Sequence, residues 1–398
     1  MNYRYILFLI LGIDALILLF QTSELSISSY EADILYGDFS FLQLIVNFSL
    51  KIFGHNDFAL RLPMMIFHFL SVGLLYLISN KYLKDIKDKV WLIIIFILLP
   101  GIISSALQIN SAGLVIFGLF LFVYVYDKFR IEYSYVLLFI YSFLDAGFIY
   151  LFFALLFFAY KIKNKLFLVI NFLCFFISYY IYGTNIGGFP RGHLLDSLGV
   201  YFAIFSPIVF IYIFYVLYKK FFTKSNDISW YISFSILVLS LVLSLRQKIA
   251  IEQFAPYIML SLPLVFQTFI HTYRIRLKIF RKNYLRLFVF SIIFLFLNSI
   301  IVLFNKELYH FIENPKKHFA YRMYIVKELA EDLKAKNISC VSSKNDILLK
   351  RLRFYGIREC NEYFLTEYNI KSKNKANVTI SYNNVLVYKA NVTKINNK

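Results

Sequence analysis

The feature that most constrains this chain is the recurrence of apolar blocks of roughly 15 to 25 residues, long enough to cross about 30 Å of hydrocarbon at about 1.5 Å per residue. Of the 398 residues, 60% are hydrophobic and only 16% are charged, so a water-soluble fold has too little polar surface to cover its own core. Lipid is therefore the expected solvent for most of the chain. The first block, 5–20, follows Arg4 and is not trailed by a small-x-small cleavage pattern in 21–28, so it reads as a retained span rather than a signal peptide.

Spans are expected at about 5–20, 64–79, 90–107, 112–126, 133–144, 146–159, 166–182, 199–218, 230–245, 255–271 and 286–304, which makes about eleven transmembrane helices. The stretch 133–160 is split because Asp145 at mid-bilayer would cost about 3 kcal/mol, and a turn at the surface removes that cost. In a soluble protein the formal charge of +19 would suggest nucleic acid as a partner. Here the basic residues gather in alternate short loops, at Lys81 to Lys89, Lys128 and Arg130, Lys161 to Lys165, Lys219 to Lys224 and Arg274 to Arg286. The other loops hold only Lys51, Arg61, Arg191, Arg246 and Lys248. That is the positive-inside pattern, which accounts for the charge without nucleic acid. It predicts a multi-pass protein of the bacterial inner (plasma) membrane, with a cytoplasmic N-terminus and a periplasmic C-terminus.

The expected division is a transmembrane domain over 1–305 and a small extramembrane α/β domain over 306–398. In the latter, Tyr321, Ile325, Leu329 and Leu333 recur every four residues and predict an amphipathic helix to about Lys336. A strand over 338–341, a helix over 346–354 and a hairpin of 378–382 with 385–388 about Asn383-Asn384 complete it. The segment contains no phosphate loop, metal-ligand cluster or nucleophile motif, and reads as a structural or docking module. Cys174 falls inside a span, while Cys340 and Cys360 fall in the tail. They pair if that side is oxidising; the competing reading makes Cys340 a small hydrophobe in a buried strand.

Candidate chemistry lies with polar residues near span ends, because burying them without a use is costly. The loop after the first span contains Ser28-Ser29-Tyr30-Glu31-Ala32-Asp33 and closes on Gly54-His55-Asn56-Asp57-Phe58-Ala59-Leu60-Arg61-Leu62-Pro63. Two carboxylates two residues apart can serve as a general base and a group that orients the acceptor. By spacing alone, acidic loop residues are more often simply solvated.

An acidic motif after the first span, then an apolar stretch, then Phe-Gly and Leu60-Arg61-Leu62-Pro63 opening the second span, resembles the GT-C superfamily of membrane glycosyltransferases. The resemblance covers about residues 1–270 and is nearest the branch of protein O-mannosyltransferases and the lipid A aminoarabinose transferase. It implies Glu31 as catalytic base and Asp33 as the second carboxylate, although the family often has Asp-Glu where this chain has Glu-Ala-Asp. It also places Arg61 among the substrate-binding residues, and Asn110 where the family commonly has a second acid. Asparagine can hydrogen-bond a sugar but cannot take a proton, and it is equally a helix N-cap.

Arg191 and His193, set in Gly187-Gly188-Phe189-Pro190-Arg191-Gly192-His193, are placed to hold a phosphate or merely to form a turn. Arg246 and Lys248 precede Phe254-Ala255-Pro256 and resemble the family segment that contacts the lipid phosphate. Asp145 reads as a satisfied cap. The expected function is transfer of a sugar from a polyprenyl-phosphate donor to a glycan, lipid or protein acceptor at the outer face of the bilayer, with no metal and no cofactor. The alternative is a transporter or flippase of a lipid-linked saccharide, for which polar groups within several spans are expected.

Overall fold

A computed structural model of the protein describes residues 3–183, 192–223, 227–312, 314–368, 376–382 and 385–395. Among these, six helices are long and apolar enough to cross a membrane: Tyr3–Glu24, Asp57–Ser79, Ser111–Lys128, Lys165–Tyr182, Ile228–Arg246 and Lys278–Leu303. Two bent pairs raise the number to eight if each is one span. The expected count of about eleven is not confirmed.

Proline explains both bends. The expected span 90–107 is broken by 64° between Ile86–Ile97 and Pro100–Leu107, and 199–218 by 107° between Leu194–Phe205 and Pro207–Phe222. Each second arm starts on a proline, whose missing N–H is harmless in a first turn but would break a ladder in mid-helix. Ser206, just before Pro207, adopts φ 69°, which turns the chain sharply. Hydropathy reports apolar length and carries no information on direction.

The chain divides into two compact units that are discontinuous in sequence. One comprises Met1–Leu16, Met64–Ala106 and Asn110–Ser299, and is here termed the membrane unit. The other comprises Ile17–Pro63, Leu107–Ile109 and Ile300–Lys398, the loop-tail unit.

In the membrane unit the stretch 133–160 breaks at Asp145, between Ile131–Leu144 and Ile149–Lys161. Asp145 accepts the Ser111 hydroxyl and the Gly147 N–H, the latter at 2.7 Å, so it is the satisfied cap expected of it. Gly147 must be small: a Cβ there would lie 2.7 Å from Val115 Cγ2, and its carbonyl accepts the Tyr257 hydroxyl at 2.5 Å.

In the loop-tail unit the first loop is largely helical, with helices Ser29–Tyr36 and Phe41–Phe53 before Asp57–Ser79 begins. The tail contributes a four-stranded sheet, β1 (Cys340–Ser342), β2 (Arg358–Glu367), β3 (Val378–Tyr382) and β4 (Val385–Lys394), in the order β1-β2-β4-β3. β1 and β2 are parallel and joined through helix Asp346–Phe354, whereas β4 is antiparallel to both β2 and β3. A disulfide links Cys340 to Cys360 with Cα atoms 5.5 Å apart. The expected Asn383-Asn384 turn lies outside the described residues.

Two tail expectations need correction. Strand β2 escaped the sequence reading because Arg358, Glu359, Asn361 and Glu362 interrupt any alternation; pairing on both edges makes it a strand. The helix expected from Tyr321 starts only at Val326. The carbonyls ahead of it are committed elsewhere: Met323 O accepts the Ser26 N–H at 2.9 Å, and Tyr324 O accepts Arg351 Nη2 at 3.1 Å. Ile325 then turns through φ 83° before the helix can begin.

Candidate active-site loop

The sequence Ser28-Ser29-Tyr30-Glu31 is a capping box. Ser28 Oγ accepts the Glu31 N–H at 3.2 Å while Glu31 Oε2 accepts the Ser28 N–H at 2.8 Å, which starts helix Ser29–Tyr36. This reciprocal pairing holds the Glu31 side chain inward, where its exposure is 0%.

Arg61, 1% exposed, meets it as a two-pronged partner, with Nε 3.1 Å from Oε1 and Nη2 3.1 Å from Oε2. The Ile109 N–H donates to Oε1 at 3.2 Å. Glu31 thus accepts four hydrogen bonds, two per oxygen, the full capacity of a carboxylate. Arg61 is equally saturated. Its remaining donors reach Thr22 O at 3.3 Å, Leu25 O at 2.9 Å and Ser26 O at 2.8 Å, so all five N–H groups are used and the end of the first span is pinned. A buried ion pair is tolerable only when every lone pair and proton has a partner, and this pair meets that condition.

The expectation of Glu31 as base and Arg61 as a substrate contact therefore meets a geometry with no vacant acceptor and no vacant donor. Asp33, two residues on, differs. Its side chain is 49% exposed and pairs with Lys350 Nζ at 2.8 Å.

A second layer of tail residues holds the same loop. Arg351 donates through Nε to Ile27 O at 2.7 Å, and burial pushes its guanidinium down to about 10, still charged at neutral pH. The Tyr355 hydroxyl donates to Asp57 Oδ1 at 2.7 Å and accepts the Ile27 N–H at 3.0 Å. Burial, then the Asp57 charge, raises its pKa. Lys327 bridges Asp57 at 3.2 Å and Ser23 O at 2.8 Å.

Tyr355 stands at the C-cap of helix Asp346–Phe354, which ends in a glycine stop. Gly356 takes φ 86°, its N–H returns to Arg353 O at 3.0 Å, and the Ile357 N–H returns to Leu352 O at 3.2 Å. None of Arg351, Tyr355, Lys350 or Asp57 was singled out from the sequence: Lys350 and Arg351 read as the solvated face of a tail helix, and Tyr355 and Asp57 carry no motif of their own. The capping box was legible as S-x-x-E.

The remaining candidates lie in the membrane unit. Asn110 is the N-cap of Ser111–Lys128, its side chain accepting the Gly113 N–H at 2.9 Å. Arg191 lies outside the described residues. The His193 N–H donates to Ser244 O at 2.9 Å and its Nδ1 lies 3.3 Å from Asp196 Oδ2, so the segment after Arg191 meets the end of the helix that carries Arg246. Arg246 and Lys248 are exposed, and among the described residues neither has an ion-pair partner. Among the same residues no group of three or more His, Cys, Asp or Glu is arranged to hold a metal.

This architecture has a solved counterpart in ArnT from Cupriavidus metallidurans in its apo state, matched with a TM-score of 0.59 over 89% of this chain and 85% of that one. Its fold is that of ArnT. The identity is 9%, so the likeness is one of architecture, and it bears out the resemblance first carried by Leu60-Arg61-Leu62-Pro63. No family model matches the sequence, and no curated protein does. Within this ArnT-like fold, Arg61 of that motif binds the loop's own carboxylate and carbonyls.

Proposed function

We propose that this protein is a GT-C glycosyltransferase of the bacterial inner membrane that moves a sugar from a polyprenyl-phosphate donor to an acceptor at the outer face. The observation that carries the reading is the ArnT-like fold across 89% of the chain. The roles on the first loop are divided. Glu31, saturated by Arg61, is a positioning residue that fixes the start of helix Ser29–Tyr36. Asp33, half-exposed on that helix, is the base.

In the proposed step the acceptor oxygen attacks the anomeric carbon, its proton passes to Asp33, and the bond from that carbon to the phosphate oxygen breaks. Polyprenyl phosphate leaves with the bonding electron pair, and hydrogen-bond donors at its oxygens stabilise the growing charge. A single displacement inverts the anomeric centre. The Cys340–Cys360 disulfide supports an oxidising, hence outer, location for the tail.

One observation favours a flippase instead: the buried pair of Asp14 and His68, 2.8 Å apart within two spans. Turnover of a radiolabelled polyprenyl-phosphate sugar by the purified protein separates the two. The expected result is transfer that falls about 100-fold or more in Asp33→Asn, with unchanged thermal stability. Wild-type turnover in Asp33→Asn removes it as base. Transbilayer movement of the donor in proteoliposomes with no transfer to any acceptor overturns the enzyme reading.

A further inference from the structure

Helices Ile86–Ile97, Pro207–Phe222, Leu262–Ile275 and Lys278–Leu303 of the membrane unit line a narrow apolar slot of about 120 Å³. Leu92, Ile208, Val265 and Ile292 line it, and the only hydroxyls on its wall belong to Ser291 and to Tyr212 and Tyr284, which lie 3.3 Å apart. Through Phe266, Phe269 and Phe288, which line both, the slot adjoins an open vestibule of about 830 Å³.

The vestibule is charged, and unevenly. Lys84, Lys87 and Arg274 face Asp85 and Asp88 there. Arg274 takes both aspartates, at 2.6 Å and 2.7 Å. Among the described residues Lys84 and Lys87, both exposed, have no ion-pair partner. Trp91 and Tyr273 stand on the same wall, and such amphipathic rings mark headgroup depth in membrane proteins.

This site is at the opposite end of the membrane unit from Arg246. The Tyr82 hydroxyl donates to Asp227 at 2.9 Å, which sets the first turn of Ile228–Arg246 beside the Lys84 segment. Arg246 closes that helix, roughly 27 Å farther along at about 1.5 Å per residue. A donor phosphate held at Arg246 therefore does not occupy the vestibule.

We infer that this slot and vestibule bind one anionic glycerophospholipid, with an acyl chain in the slot and the phosphate and headgroup on Lys84 and Lys87. A zwitterionic lipid would fill the same slot but brings its own cation to a mouth that already carries excess positive charge. The site is independent of the glycosyltransferase reading.

The test uses the full-length protein, purified in detergent and delipidated, and titrated with dioleoylphosphatidylglycerol or dioleoylphosphatidylcholine while bound lipids are counted by native mass spectrometry. One phosphatidylglycerol is expected to bind about 10-fold more tightly than phosphatidylcholine, a difference of about 1.4 kcal/mol. Lys84→Gln with Lys87→Gln, a surface change, should bring it down to the phosphatidylcholine level. Ser291→Phe, which fills the slot, should abolish single-site binding of both lipids. Lys128→Gln with Lys163→Gln, basic residues outside the vestibule, should change nothing. Equal binding of the two lipids by the wild type, undiminished phosphatidylglycerol binding in the Lys84 and Lys87 variant, or an equal loss in the Lys128 and Lys163 variant would overturn the site.

Discussion

The two units dispose of buried polar groups in opposite ways. In the membrane unit many are serines, and several of their hydroxyls return to carbonyls three or four residues back in their own helix, as at Ser71, Ser105, Ser142 and Ser244. Each such bond is local and independent of its neighbours. In the loop-tail unit two guanidinium groups, Arg61 and Arg351, are buried and spread over carbonyls from distant parts of the chain. Short local bonds suit a body bathed in lipid, where an unmet polar group has no water to turn to. Shared ionic bonds make the loop-tail unit cooperative, and a single lost partner strands several others.

That contrast can be broken most directly at Arg61. Arg61→Met should destabilise the loop-tail unit by about 3–5 kcal/mol, since it leaves the Glu31 charge buried and three carbonyls unmet. Limited proteolysis of the first loop reads the effect. Glu31→Leu combined with Arg61→Met should cost less than Arg61→Met alone, and simple additivity would show that the pair is not coupled.

Next in size is the disulfide, which closes a separation of 20 residues; Cys340→Ser with Cys360→Ser should cost about 2–4 kcal/mol. Denaturant melts followed by tail and membrane-unit probes should differ only in the tail. Equal shifts in both would erase the distinction between the units.

Tyr355→Phe should cost about 1–3 kcal/mol, because the Ile27 N–H loses its acceptor and Asp57 Oδ1 its donor, while Lys327 stays on Oδ2. Its counterpart in the membrane unit, Ser71→Ala, removes a single helix-internal bond and should cost about 1 kcal/mol or less. Thermal melts of the two variants sharpen the comparison, and equal costs would count against it.

The smallest effect is set by pH. His318, buried, takes the Ala320 N–H on Nδ1 at 3.0 Å and faces Asn305 O with Nε2 at 2.9 Å, so its neutral form is the one that fits. Burial lowers its pKa below the ordinary value of 6.5, with the Asn305 carbonyl opposing. The unfolded chain then binds the proton more readily than the folded one. Stability should be level above about pH 6.5 and fall as the pH drops from there through the lowered folded value. Melts between about pH 5 and about pH 8 should show this slope in the wild type and lose it in His318→Gln.

Much of the architecture was legible. The apolar blocks announced a lipid-solvated chain, the expected tail helix over 346–354 coincides with Asp346–Phe354, and strand β3 was found at Val378–Tyr382. The bends after Ile97 and Phe205 follow from Pro100 and Pro207, a local signal that hydropathy does not weigh. What escaped for want of a local signal were strand β2 and the delayed start of the helix at Val326. Each depends on where a backbone N–H or carbonyl finds its partner, and that partner is remote.

The candidate site divides along the same line. The S-x-x-E capping box and the acidic pair could be read from neighbouring residues, and so could the Asn110 N-cap. Which carboxylate is open to a substrate could not. The vacancy of an oxygen is settled by donors that the fold delivers from elsewhere, and for Glu31 these come from 30 positions away at Arg61 and 78 at Ile109. Hydropathy and capping are properties of short segments, so the sequence alone determined the solvent of this protein and the starts of many of its helices. Hydrogen-bond saturation is a property of three-dimensional neighbours, so only the tertiary structure decided that Glu31 is enclosed and Asp33 is not.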